Sequence, residues 1–153
     1  MASKWTIRYM DLAKQISSWS LDPSTKVGAV IVGKNGQIIS QGYNGFPRGV
    51  KDSPERLNTR EEKYKYVVHA EMNCIYNACR NGASLNDTTL YVYGLPVCSE
   101  CAKGVVQVGI SKVIMQHPAV IPQHWEEKVL ISKTIFNEAG VTFLRYDENY
   151  EII

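Results

Sequence analysis

Short apolar runs, and what lies between them, constrain this chain more than any other feature. Val27–Val32 (VGAVIV) and Gln37–Tyr43 (QIISQGY) flank Lys34-Asn35-Gly36, and Asn-Gly between two such runs predicts a β-hairpin. Beyond it the pattern alternates: a helix over Ala70–Arg80, a strand over Thr89–Tyr93, and a helix from Cys98 to Val108 stopped by Gly109. A strand over Lys112–Met115, a helix over Glu126–Glu138 ended by Gly140 and a strand over Val141–Tyr146 follow. Strands joined through helices lie parallel, and such crossovers place the helices against the sheet faces. The expected class is therefore α/β, a three-layer α/β/α sandwich on a mixed five-stranded sheet. At the N-terminus Trp5, Tyr9, Leu12, Ile16 and Trp19 recur at helical spacing, which predicts an amphipathic helix with that stripe on the core. Lys51–Lys65 is polar and charged without a period. It is expected to be a long loop or irregular helix, of the kind that often carries function.

No repeat or linker divides the 153 residues, so one domain spanning 1–153 is expected. Seventeen basic against fifteen acidic residues leave a net charge of +2, too little for a polyanion-binding surface, so no nucleic-acid partner is expected. No apolar run approaches the ~20 residues of a membrane span. The N-terminus MASKWTIRYMDLAK lacks the apolar stretch of a signal peptide, and a cytoplasmic location is expected. There Cys74, Cys79, Cys98 and Cys101 are thiols or ligands rather than a disulfide framework.

The chemistry concentrates in two places. His69-Ala70-Glu71 and Cys98-Ser99-Glu100-Cys101 each sit at the expected start of a helix. Cys98 and Cys101, three apart, share a face and reach a single ion. Two thiolates and an imidazole suit zinc better than magnesium or calcium. Three protein ligands leave a fourth position open, the arrangement of a catalytic rather than a structural zinc. Cys74 lies mid-helix and is expected to pack against apolar neighbours, and Cys79 lies almost three turns from the helix start. Glu71, two residues from a ligand, is placed to move a proton between water and substrate. His117 and His124 flank a proline-rich loop and read as packed or exposed loop histidines.

H-x-E followed by P-C-x-x-C is the pattern of the zinc deaminases of nucleobases. Pro96-Val97-Cys98 departs from it by one residue, which alters the turn before the first cysteine but not the ligand set. With Asp22-Pro23-Ser24, Val27-Gly28-Ala29, Gly42-Tyr43-Asn44-Gly45-Phe46-Pro47, Tyr64–Asn73 and Asn137–Phe143, the chain resembles the cytidine and deoxycytidylate deaminase superfamily over nearly its whole length. Within it, the G-Y-N-G-x-P stretch resembles the deoxycytidylate (dCMP) deaminases.

The resemblance implies a cytidine deaminase-like fold and hydrolytic deamination of dCMP to dUMP, a precursor of thymidylate. It implies one Zn²⁺ per subunit on His69, Cys98 and Cys101, Glu71 as proton shuttle, the Ala70 N–H on the base carbonyl, and Asn44 on the sugar. A nucleotide substrate also needs its phosphate held, for which Ser24, Lys26 and Arg48 are the candidates. By the same resemblance dCTP with Mg²⁺ activates and dTTP inhibits, read through Gly42, Tyr43, Gly45 and Pro47, in a homo-oligomer, usually a hexamer. The apolar residues Trp125, Val129, Leu130, Ile131, Ile135 and Phe136 form a face broad enough for assembly, though ordinary burial accounts for them equally. Two other readings keep the zinc pattern: a deaminase of nucleosides or of bases in polynucleotides, and a zinc-stabilised binding module without catalysis.

Overall fold

The computed structural model describes residues 1–153. Ser3 caps α1 (Lys4–Ser17) by accepting the Thr6 N–H at 3.2 Å. The hairpin follows: β1 (Gly28–Val32) and β2 (Ile38–Tyr43) pair antiparallel around a turn closed by the Gly36 N–H on the Gly33 carbonyl, 3.0 Å. Gly36 takes φ +81°, a conformation that L side chains rarely adopt. Then come α2 (Pro54–Asn58), α3 (Arg60–Tyr66), α4 (Ala70–Arg80), β3 (Thr89–Tyr93), α5 (Ser99–Gln107), β4 (Lys112–Gln116), α6 (Gln123–Ala139) and β5 (Thr142–Tyr146).

The strands form one five-stranded sheet in the order β2-β1-β3-β4-β5, with β1 antiparallel to β2 and β3, and β3-β4-β5 parallel. This is the mixed α/β sheet that the alternation predicts. The larger core cluster lies between one sheet face and α4, α5 and α6, joining Ala29, Ile31, Leu90, Val92, Val113 and Met115 to Cys74, Ala78, Val105 and Phe136. The smaller one lies under α1 and joins Met10 and Ala13 to Val30, Val32, Tyr91 and Ile114. No helix is long and apolar enough to cross a membrane.

Two glycines let helices come unusually close to the sheet. A Cβ on Gly28 would stand 2.0 Å from the Ala13 carbonyl oxygen of α1; one on Gly42 would stand 2.4 Å from the Cys74 nitrogen and 2.8 Å from the Ala70 oxygen of α4. Gly42 therefore fixes the depth at which α4, and the residue before it, rests on the sheet. The first contact also corrects the stripe expected on α1. Trp5 and Trp19 are 53% and 55% exposed, while Met10, Ala13, Ile16 and Ser17 are buried. The narrow side of the helix, at Ala13 and Ser17, meets Gly28. The wide rings stay at the rim, Trp5 stacked on Tyr9 and Trp19 edge-on to Tyr43.

The Lys51–Lys65 segment resolves into two short helices. Ser53 caps α2 through the Arg56 N–H at 3.4 Å, with Pro54 at the first helical position. Gly140 ends α6 at φ +74°, the left-handed stop expected there, but α6 begins at Gln123, earlier than its apolar pattern.

Candidate functional site

The N-cap position of a helix favours Ser, Thr, Asp or Asn, whose oxygen satisfies a free backbone N–H. In α4 and α5 that position is occupied by His69 and Cys98 instead. The His69 ring makes no cap hydrogen bond, and its Nδ1 lies 3.4 Å from Cys98 Sγ and 3.3 Å from Cys101 Sγ. Cys98 Sγ accepts the Cys101 N–H at 3.4 Å, so the first turn of α5 folds around the sulfur. The three donor atoms all lie within 4.8 Å of one another. Ligands at ~2.0–2.3 Å in a tetrahedron stand roughly 3.5–3.8 Å apart, so this set fits a zinc ion.

The electrostatics follow from burial and proximity. Hydrogen bonding from the Cys101 thiol draws Cys98 well down, while that contact and burial drive Cys101 upward. The Cys98 contact raises the His69 imidazole above its ordinary value. Glu71, one residue into α4, is 3% exposed, and burial pushes its carboxyl up to about 7. Cys74, by contrast, is packed in the core with its thiol pushed up to about 12 by burial, and Cys79 is exposed and apart. Both match the roles expected of them outside the ligand set.

His69, Ala70 and Glu71 open onto a cleft walled by the loop before β1, by α3 and by the start of α6. Asn44 and Ser24, which the sequence offers as substrate-binding residues, line it. The Asn44 amide is nevertheless mostly committed to the fold. Its Oδ1 accepts the Val27 N–H at 2.8 Å, and its Nδ2 donates to the Thr25 carbonyl at 2.9 Å and to Asp22 Oδ2 at 3.4 Å.

Lys26 and Arg48 are not brought to the cleft. The Lys26 ammonium folds back onto the Ser20 carbonyl at 2.6 Å, and the Arg48 guanidinium donates to Asn77 Oδ1 at 2.6 Å on a different groove. Their place flanking the hairpin, on the same side as Asn44, gave no direction for these long side chains. The cations that do line the cleft are Arg60 and Lys63 of α3, in the segment whose unusual length was the sole signal pointing to them.

From α6, His124 and Trp125 complete the wall. Trp125 donates Nε1–H to the Pro96 carbonyl at 2.9 Å and holds its ring 6.0 Å from that of His69. The early proline thus anchors this tryptophan, and the Val97 N–H points to Met115 Sδ at 3.5 Å. His117 lies in the protein interior, its Nδ1–H on the Pro118 carbonyl at 2.8 Å and its Nε2 accepting from Arg145 at 3.2 Å.

Gly42 and Tyr43 belong to the end of β2; Tyr43, Gly45 and Pro47 line a wide groove with Trp19 and Tyr76. Behind the cleft a second cavity, lined by Trp19, Tyr43, Phe46 and Leu57, shares Asp22, Lys63 and Val67 with it.

Comparison with known proteins agrees with this site. The family model for the cytidine and deoxycytidylate deaminase zinc-binding region matches residues 3–117, which include all three ligands and Glu71. An "Uncharacterized deaminase in luxG 3′ region" of Aliivibrio fischeri is 42% identical over 142 residues, 92% of each chain. The deoxycytidylate deaminase of Mus musculus is 37% identical over 98% of this chain and 84% of its own length. Among solved structures, the dCMP deaminase of cyanophage S-TIM5 in complex with dCMP and dUMP superposes with a TM-score of 0.76 at 26% identity, covering 95% of this chain and 98% of that one. Match, fold and ligand geometry coincide on the same residues, and the chain belongs to the cytidine and deoxycytidylate deaminase family, hydrolases with a zinc-binding region.

Proposed function

We propose that the chain, working as one catalytic domain over residues 1–153, hydrolyses dCMP to dUMP and ammonia. The observation that carries this reading is the buried Glu71 carboxyl beside a three-donor His/Cys/Cys set, on a cleft that two cationic side chains also line. The activities named for the mouse relative and the cyanophage structure support the same substrate.

His69, Cys98 and Cys101 would hold one Zn²⁺, which when bound supplies a Lewis acid that makes water nucleophilic at neutral pH. Glu71 takes the proton of the attacking water and passes it to N3 of the cytosine as C4 is attacked. It then moves a second proton to the departing amino group. The Ala70 N–H, at the first position of α4, donates to the base carbonyl. Asn44 Oδ1 keeps a second lone pair for a sugar hydroxyl, since an amide oxygen has two. Trp125 closes one side of the cleft over His69 and keeps bulk water from that face.

The finer reading adds activation by dCTP with Mg²⁺ and inhibition by dTTP through the Gly42–Pro47 stretch of a cytoplasmic homo-hexamer. Supporting it, the Gly45 and Val68 backbones bond to each other at 3.1 and 2.8 Å, so that stretch is tied one residue from His69. Assembly is supported by apolar side chains left exposed, among them Trp19, Tyr76, Leu130 and Ile131.

Steady-state uracil formation from dCMP, deoxycytidine and cytosine in short single-stranded DNA, each with and without dCTP and Mg²⁺, tests the substrate and the dCTP response. Preference for dCMP is expected, with a dCTP effect on rate. Turnover of deoxycytidine or DNA alone would move the substrate assignment, and zinc binding without any turnover would leave a binding module.

A further inference from the structure

The turn that delivers Cys98 to the donor set, Leu95-Pro96-Val97, has few bonds of its own. Two successive carbonyls in it, those of Pro96 and Val97, accept no backbone N–H. Proline has no N–H to give, and the Val97 N–H meets a thioether, the Met115 Sδ at 3.5 Å, which is a weak acceptor. Buried carbonyls of this kind have to be satisfied from outside the turn.

Side chains of one helix satisfy both. Trp125 Nε1–H donates to the Pro96 carbonyl at 2.9 Å, and Ser132 Oγ–H to the Val97 carbonyl at 2.8 Å. Trp125, Val129 and Ser132 recur at spacings of four and three, so they share one side of α6, with Val129 buried between the two donors. Ser132 is 3% exposed, and its single proton has a second acceptor in reach, the Lys128 carbonyl at 2.9 Å. That carbonyl lies one turn back and takes the Ser132 N–H as the α-helix requires, whereas the Val97 carbonyl has no other donor. Leaving a buried carbonyl unpaired is the costlier arrangement, so the proton belongs on Val97.

The Val97 carbonyl is part of the planar peptide that leads into Cys98, and pinning it fixes the plane from which the Cys98 side chain departs. Cys98 is extended there, with φ −77° and ψ 167°, and its Sγ lies 3.4 Å from His69 Nδ1. One helix therefore stands behind both halves of the donor set: Trp125 faces the His69 ring, and Ser132 holds the approach to Cys98.

We propose that Ser132, together with Trp125, is a positioning residue for the metal: α6 holds the Val97–Cys98 peptide in the orientation that keeps Cys98 Sγ in the donor set, and so sets how tightly zinc is bound. This rests on the zinc reading above and is independent of the choice of substrate.

The test measures zinc affinity by competition with a chromophoric chelator, and the visible spectrum of the Co²⁺-substituted protein, whose sulfur-to-cobalt charge-transfer bands report the thiolates. Wild type, Ser132→Ala, Trp125→Phe and the two changes combined are compared with Thr88→Val. That control removes a similar buried hydroxyl-to-carbonyl bond, Thr88 Oγ1 to Leu85 at 2.6 Å, at the end of β3 away from Cys98. Losing an outer partner of a metal ligand costs ~10- to 100-fold in affinity, so Ser132→Ala should weaken zinc binding ~10-fold and the combined variant up to ~100-fold. The charge-transfer bands should shift with them. Thr88→Val should lose comparable stability in urea while its affinity and spectrum stay as in the wild type. If a folded Ser132→Ala binds zinc as the wild type does, or Thr88→Val weakens binding equally, the hydroxyl serves stability alone and the proposal falls. Should Ser132→Ala not fold, Trp125→Phe reads the same clamp, and unchanged affinity there overturns it. A wild type that holds neither zinc nor Co²⁺ overturns the metal reading itself, and the positioning role with it.

Discussion

The two ends of the segment Arg60–Glu71 are built by opposite means. At the α4 end, His69 is held by backbone packed on backbone, with Gly42 letting the helix settle onto β2, and Cys74 and Ala78 locked into the larger core. At the α3 end, two helices of five and seven residues ride outside both core clusters. Side chains tie them to the rest of the molecule, Lys63 to Asp22 and Ser24 and Tyr66 to Phe46. The end that carries His69 thus rests on close backbone packing, and the end that carries Arg60 and Lys63 on side-chain contacts.

Four changes would break or sharpen that contrast. Glu71→Gln keeps the shape of the rigid end and removes only its proton traffic. Turnover should fall ~10²- to 10⁴-fold with zinc retained, as kcat and metal content would show, and near-normal turnover would remove Glu71 from the mechanism. Lys63→Met alone leaves Asp22 buried without its cation. Urea unfolding should report a loss of ~3–5 kcal/mol, largely recovered when Asp22→Asn is added. If the single variant is as stable as the wild type, the irregular end does not depend on this pair.

Gly42→Ala drives a methyl into the Cys74 nitrogen and Ala70 oxygen, and overpacking of this kind costs ~1–3 kcal/mol in the same unfolding experiment. A neutral result would mean that α4 can lift off the sheet, and that the rigid end is softer than its packing implies. Smallest is Trp125→Phe, which keeps an aromatic over His69 but loses the hydrogen bond to Pro96. About 0.5–1.5 kcal/mol of stability should go, read as a shift in melting temperature.

The same contrast explains what could be read from the residues beforehand. The hairpin, the alternating strands and helices, and the His69/Cys98/Cys101 set with Glu71 all follow from local pattern, because period, turn chemistry and ligand spacing are properties of neighbouring residues. Arg60 and Lys63 follow from none of these. Their segment has no hydrophobic period, and the partner that holds Lys63, Asp22, is distant in sequence. The face of α1 failed for a related reason. Spacing places Trp5 and Ile16 on one stripe, but the close approach of Gly28 selects the small residues Ala13 and Ser17 for the sheet.

The Asp22–Lys63 pair also stands between two spaces, the catalytic cleft and the cavity lined by Trp19, Tyr43, Phe46 and Leu57. It works as a partition one ion pair thick. Because the Ser24 and Thr25 N–H groups also hold Asp22 Oδ1, the carboxylate side of that partition is fixed to the loop before β1, and only the lysine side can be trimmed without unmaking the loop.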